Sequence, residues 1–451
     1  MAPINLRRQV KRSLKLSTLD GIAFSAMAGL TQNYITPFAL ALKATTTQIG
    51  FLASVPNLSM ALSQLAAPNL SEKAGSRKGL ILPVVFTHAL LWLPILLIPY
   101  LFPESKVWWL IILFTLSVVF GSLASPAWGS MMADLVPTEL RGRYFSFRGR
   151  IMGFVTLAFS FIGGAILQVF TDNGFLGFTL IFGGAIASRL LSFYFLSKMY
   201  EPSLSGSGEK NKSLLDIVRH MGSSNLGRFT IYVASISFAA NLAGPFFAVY
   251  MLRDLDFSYL NYIVLVSSNA VANLIFQPFW GRRADRFGNI KIVKTTSYLM
   301  PFVPLLWLVS SNLYYLIIAE IYSGFVWSGF TLATTNFVYD ASDPNNRTKH
   351  IAVYNAVNGM TTCIGALIGG FLAPHLPAIF GYNLRTLFTI SGIMRGTVVI
   401  LLLRLITEVR NVPKMNAFHV LLSRPGYSTS VKKQRVRYSG NNQKSNFTSI
   451  K

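Results

Sequence analysis

Long apolar runs alternate with short polar breaks along this chain. The stretch Gly79–Phe102, "GLILPVVFTHALLWLPILLIPYLF", contains one histidine and no formally charged residue. At 1.5 Å per residue, about 20 helical residues cross the hydrocarbon core of a bilayer. On that spacing, transmembrane helices are expected near residues 17–42, 47–70, 79–102, 107–133, 145–170 and 175–198. A polar stretch, "EPSLSGSGEKNKS" from Glu201, then parts these from six more near 227–251, 259–281, 291–311, 313–339, 350–374 and 384–406. The expected fold is an all-α membrane protein with twelve transmembrane helices in two six-helix halves. The first span is too long and too polar for a secretory signal and has no small-residue cleavage site, so it reads as retained.

Composition agrees: 52% of the 451 residues are hydrophobic and 12% charged, with a mean hydropathy of +0.48, whereas a soluble domain carries about 25% charge. The net charge of +24 would point to a nucleic-acid partner in a soluble protein. Its distribution gives another explanation, and no nucleic acid is expected. Arg7, Arg8, Lys11, Arg12, Lys15, Lys73, Arg77, Lys78, Arg141, Arg143, Arg148 and Arg150 fall on one side, and Lys43, Lys106, Arg253 and Arg385 on the other. The positive-inside rule places both termini in the cytoplasm of a multi-pass protein of the cell membrane.

The resulting division is a basic cytoplasmic amino terminus (1–16), a first transmembrane half (17–198), a cytoplasmic linker (199–226), a second half (227–408) and a basic tail (409–451) that lacks apolar periodicity and reads as disordered. The basic face is suited to anionic lipid. A monomer is expected.

Covalent chemistry finds little support. Cys363 is the only cysteine, and His88, His220, His350, His375 and His419 are scattered without ligand spacing. No nucleophile motif, metal set or phosphate-cradling loop is present, so neither an enzyme nor a cofactor is expected, and ATP does not drive the protein.

The chain repeats itself. Asp134 and Arg141 in "DLVPTELR" match Asp340 and Arg347 in "DASDPNNR" at a shift of 206 (340 − 134). The same shift carries Gly153 onto Gly359, Ile162–Gly164 onto Ile368–Gly370, and Arg189 onto Arg395. "NYITPF" from Asn33 lands on "NLAGPF" from Asn241 after a small adjustment. This order of matches indicates a six-plus-six duplication.

Between spans two and three lies "PNLSEKAGSRK", and its counterpart between spans eight and nine is "GRRADRFGNIK". Glu72-Lys73-x-Gly75 aligns with Asp285-Arg286-x-Gly288. Here the chain resembles the major facilitator superfamily, whose signature loop reads G-x-x-x-D-R-x-G-x-x-K/R, over about residues 17–408. The second copy carries Gly281, Asp285, Arg286, Gly288 and Lys291, while the first has Pro68 for the leading glycine and Glu72 for the acid.

Glycines let such a loop turn tightly, an acid can meet a helix N-terminus, and cations can pair with acids at neighbouring span ends. The resemblance implies a cytoplasmic gate formed by Glu72, Lys73, Gly75, Asp134, Arg141, Gly281, Asp285, Arg286, Gly288, Asp340 and Arg347. The alternative is that these residues only set topology and cap helices.

A substrate site should lie near the midplane between the halves. Glu320 reads as the only acid well inside a span, and it shares a helical stripe with Gly324, Trp327, Thr331 and Thr335. Such a stripe suits a water-filled cavity, with a Glu held in packing as the alternative. Asn33 and Asn241 precede Pro37 and Pro245 by four residues; they read equally as cavity-lining or as part of packed interfaces rich in small residues. Arg189 and Arg395 lie in spans that are peripheral in the family, and are expected to snorkel or to pair structurally.

The expected function is secondary active transport of a small organic solute by alternating access. Proton-coupled efflux of an amphipathic compound comes first, uptake of a neutral solute such as a sugar or nucleoside second. An anionic substrate is disfavoured because spans one and seven hold no internal Arg or Lys. A transport-inactive membrane sensor or scaffold, with the tail as its partner site, is the reading from another class.

Overall fold

In the computed structural model the described residues are 4–73, 75–102, 104–136, 141–202, 224–342, 347–410 and 412. They are nearly all helical. The first half holds span 1 (Ile4–Thr31, continuing as Ile35–Ala41), span 2 (Thr46–Lys73), span 3 (Arg77–Leu101), span 4 (Lys106–Leu135), span 5 (Arg141–Val169) and span 6 (Leu176–Ser197). The second half holds span 7 (Asn225–Asn241, continuing as Phe246–Val249 and a π-helical turn, Tyr250–Asp254), span 8 (Tyr259–Phe287) and span 9 (Asn289–Leu299, continuing as Phe302–Val309). It ends with span 10 (Leu313–Ala341), span 11 (Arg347–Leu372) and span 12 (Asn383–Leu402). Ten of the twelve are long and apolar enough to cross a membrane by length and composition alone; spans 1 and 2 complete the set.

The breaks have local causes. Span 1 pauses just before Pro37, span 7 at Pro245 and span 9 at Pro301, because proline lacks the N–H an inner turn needs but fits the first turn of a new segment. The first helix already starts at Ile4, so Arg8, Lys11, Arg12 and Lys15 ride on the same helix as the span.

Helix neighbours repeat between the halves. Span 1 packs on spans 5 and 6, span 2 on span 4, and span 3 on span 4; correspondingly span 7 packs on spans 11 and 12, span 8 on span 10, and span 9 on span 10. The halves meet where span 2 faces span 11 and span 5 faces span 8. The duplicated pair Gly164 and Gly370 sits at these seams. A Cβ on Gly164 would stand 2.7 Å from Ile263 Cγ2, and one on Gly50 would stand 3.0 Å from the Cα of Gly370.

The two ends of the bundle differ. We call the end bearing Arg77 and Lys78 the basic end and the opposite one the far end. One apolar core joins the halves toward the far end, with Tyr34, Phe38 and Phe182 from the first and Leu242, Phe246 and Trp307 from the second. Toward the basic end each half keeps its own core, Met131, Met132 and Leu135 in one, Trp280, Val293 and Phe337 in the other. Polar ties between the halves at the far end are Tyr262 Oη to Asn33 O at 3.0 Å, Thr47 Oγ1 to Gly370 O at 3.1 Å and Arg253 Nη1 to Thr46 Oγ1 at 3.0 Å. None of the ion pairs among the described residues, Arg77–Asp134, Arg148–Asp20, Arg253–Asp254 and Arg410–Asp340, bridges the two halves.

Candidate functional site

A cavity of about 580 Å³ lies among spans 7 to 10 and 12. Asn241, Asn269, Glu320 and Arg395 give it polar walls; Phe247, Tyr262, Trp307 and Trp327 give it aromatic ones. Each polar group is delivered by a helix. Glu320 stands about 10 Å along span 10 from Leu313, seven residues at 1.5 Å each. Its Oε2 accepts a hydrogen bond at 2.7 Å from Asn269 Nδ2 of span 8, which also donates to Ser323 Oγ at 2.9 Å. Asn241 sits where span 7 breaks, and its Nδ2 donates to Ser237 O at 2.9 Å and to Thr362 Oγ1 at 3.4 Å.

The stripe read from the sequence divides accordingly. Glu320 and Trp327 face the cavity. Gly324 instead allows close approach of span 8, since a Cβ there would stand 2.8 Å from Ala272 Cβ. Thr331 and Thr335 are exposed, away from the walls, and Thr335 Oγ1 donates to Thr331 O at 2.8 Å. Asn33 does not line the cavity either: its Nδ2 donates to Ser160 Oγ at 3.3 Å and its carbonyl takes the Tyr262 hydroxyl.

Two polar groups escaped the sequence reading. Asn269 had no signal of its own, being one more amide in a helical run. Arg395 was expected at the periphery or snorkelling; it is 2% exposed and lines the cavity. A third difference concerns acids inside spans. Asp20 is 4% exposed, accepts from Ser192 Oγ at 2.6 Å and pairs with Arg148 at 3.6 Å, so Glu320 is not alone. Arg148, counted with the surface cations that set topology, is buried against this acid, with Trp128 4.4 Å away.

At the basic end, Gly75 and Gly288 both have positive φ, +61° and +89°, the left-handed region that glycine enters without Cβ strain. The segment "GRRADRFGNIK" is otherwise helical. Span 8 runs through Phe287, Gly288 turns the chain, and span 9 starts at Asn289. Gly281 therefore makes no turn, but lies inside a helix with Leu332 3.6 Å from where a Cβ would be.

Asp285 and Arg286 are exposed on the last turn of span 8. The role of an acid at a helix N-terminus is filled by other residues. Glu201 Oε1 accepts from Arg77 N at 2.6 Å at the start of span 3, and Glu408 Oε2 accepts from Ile290 N at 2.8 Å at the start of span 9. These glutamates are 207 residues apart (408 − 201), so the repeat itself was the signal that could have found them.

Asp134 pairs with Arg77 at 2.7 Å. Asp340 pairs with Arg410 at 2.7 Å and accepts from Asn289 Nδ2 at 2.7 Å; the hydrogen bond to Asp340 raises the Arg410 pKa. Arg141 and Arg347 open spans 5 and 11, and Glu72 and Lys73 close span 2; the side chains of all four lie outside the described residues.

Two six-helix halves, joined at one end and parted at the other, with a polar and aromatic cavity among the helices of the second half, define a membrane transporter. A family model described as Major Facilitator Superfamily matches residues 21–241 and again residues 229–427. The chain belongs to that superfamily.

Among curated relatives, it is 28% identical over 138 residues to the class H tetracycline resistance protein of Pasteurella multocida, covering 30% of this chain and 34% of the relative. It is 25% identical over 169 residues to the quinolone resistance protein NorA of Staphylococcus aureus, covering 37% and 43% respectively. The matches thus span under half the length of these relatives. Two solved structures share the fold: the nucleoside transporter NupG, with a TM-score of 0.65 at 12% identity over 89% of this chain and 99% of that one, and a D-xylose-proton symporter, with a TM-score of 0.69 at 13% identity over 90% and 100%.

Proposed function

We propose that the chain exports a small amphipathic organic compound by alternating access, with proton exchange at Glu320. The observation that carries this reading is the cavity itself, because a carboxylate, two amides and an aromatic lining converge in a space of about 580 Å³, within the range of sites for small organic ligands. A carboxylate alternately enclosed and wetted can take up and release a proton. The relatives named for tetracycline and quinolone resistance support an organic, partly aromatic cargo. Uptake of a neutral sugar or nucleoside accords less well with two charged wall residues.

The moving bodies are residues 17–198 and 227–408, with both termini in the cytoplasm and the basic face against anionic lipid. In the state described here the access path leads to the basic end, since the apolar core shared by the halves lies toward the far end. The gate residues act in the opposite state. Asp285 and Arg286 then gain partners across the cleft, and the acids at the ends of spans 4 and 10 exchange partners on their own side for partners across it.

The test is flux in proteoliposomes that hold purified full-length protein and a fluorescent quinolone or tetracycline. A pH step should drive accumulation or expulsion. Flux that ignores the pH step would remove the coupling, and no flux of either compound would remove the export reading.

A further inference from the structure

The repeat places two arginines at equivalent positions, and they are served differently. Arg189 of span 6 donates to His88 Nδ1 and to Ser192 Oγ, both at 3.1 Å, and Ser192 in turn donates to Asp20. Its charge is answered from inside the protein. Arg395 of span 12 is 2% exposed, its Nε has no partner, and its terminal nitrogens make only long contacts, 3.4 Å to Met300 O and 3.5 Å to Ala240 O. None of the ion pairs among the described residues includes it.

A buried guanidinium without an anion is costly, and so is a carboxylate without a cation. Both kinds of charge line one cavity here, and they do not close on each other: Glu320 is held by Asn269. A ligand with a single charge would leave one wall group uncompensated. A ligand with both would answer each, and Trp307, Trp327 and Phe247 offer flat apolar faces for a ring between them.

We propose, resting on the transport reading above, that the cavity takes an aromatic zwitterion, whose anionic group is bound by Arg395 and whose protonated amine is bound by Glu320. The disfavour toward anionic groups drawn from spans 1 and 7 is thereby reversed, because the cation comes from span 12. A guanidinium is suited to this task, since its fork of donors matches a carboxylate in two places.

The test uses full-length protein in lipid nanodiscs and three forms of one fluoroquinolone: the free zwitterion, its carboxyl ester and its N-acetyl derivative, with binding read by equilibrium dialysis. The zwitterion is expected to bind about tenfold or more tighter than either derivative, as charge-assisted pairs with buried wall groups require. Arg395→Gln should bring zwitterion and ester to the same affinity while the preference over the N-acetyl form remains. Arg395→Lys, which keeps the charge, should restore part of the difference and stands in if the Gln variant fails to fold.

A wild type that does not distinguish the three forms, or binds none, overturns the proposal; so does an Arg395→Gln variant that keeps the preference for the free carboxylate. Counterflow of whichever form binds separates this from the transport reading. Discrimination without counterflow sinks transport alone, and counterflow without discrimination sinks the zwitterion alone.

Discussion

Tyr262 of span 8 donates a hydrogen bond at 3.0 Å to the backbone carbonyl of Asn33 in span 1, so one residue both ties the two halves and forms part of the cavity wall. Removing the hydroxyl leaves the ring and its packing, but deletes a tie present only while the far end is closed.

Tyr262→Phe should therefore raise the far-end-open population about fivefold, the effect of losing a hydrogen bond worth about 1 kcal/mol. Spin labels on cysteines at Asn173 and Phe380, in a Cys363→Ala background, would report a longer distance component. An unchanged distribution would show that the apolar core alone holds this end shut.

The gate predicts the opposite displacement. Asp285 belongs to none of the ion pairs among the described residues in this far-end-closed state, so its contacts across the cleft should form in the other one. Asp285→Asn should weaken that other state and enrich the arrangement described here. A differential contact of about 1.4 kcal/mol gives about a tenfold change. Labels at the basic end of the two halves measure it, and no change in a folded variant would reduce Asp285 to a topology signal.

At the basic end the acids that touch helix N-termini are Glu201 and Glu408. Glu408→Gln should lower the melting temperature in detergent by the equivalent of about 1 kcal/mol, through loss of a charged group on exposed N–H donors. Gly288→Ala should cost at least as much, since the residue has φ +89° and a Cβ there would run into the Glu408 carboxylate. Equal melting of Gly288→Ala and wild type would contradict the turn geometry.

Ten of the twelve spans were legible because a membrane helix is apolar over most of its crossing, whatever it packs against; the more polar spans 1 and 2 were legible through the spacing of the polar breaks and the repeat. Helix ends were less so: Gly281–Phe287 looks like a loop by charge, yet helix geometry continues until Gly288 supplies the turn. Glu320 could be found as an isolated acid, but its partner Asn269 could not, because an amide in a span has the same signature facing a cavity or a neighbouring helix. Arg395 and Arg148 were misplaced for a related reason. Counting cations by loop records the side of the membrane and is blind to depth, which put Arg148 on Asp20; placing Arg395 by the peripheral position of its span is blind to direction around the helix, which put it in the cavity.

Sidedness rests on the cation asymmetry. Ser207 and Ser439, both outside the described residues, should be reached by a membrane-impermeant thiol reagent only from the cytoplasm when changed to cysteine in a Cys363→Ala background. External labelling of either in sealed cells would invert the topology, and with it the direction proposed for transport.

Glu320→Gln separates a coupling carboxylate from a packing one. The amide keeps the size of the side chain and an oxygen for Asn269, whose Nδ2 now reaches Oε2 at 2.7 Å, but it cannot ionise. If proton exchange at this position drives transport, the variant should lose movement of substrate driven by a pH gradient, because each cycle would carry no proton. Exchange of labelled for unlabelled substrate should persist at saturating substrate, with a weaker apparent affinity because the amide pairs less strongly with a protonated amine, since exchange needs only binding and rocking of the halves. Both fluxes in the same proteoliposomes decide the matter. Retention of pH-driven flux would place coupling elsewhere, with Asp20 the next buried acid to change, while loss of both fluxes with an intact melting profile would make Glu320 a substrate contact and nothing more.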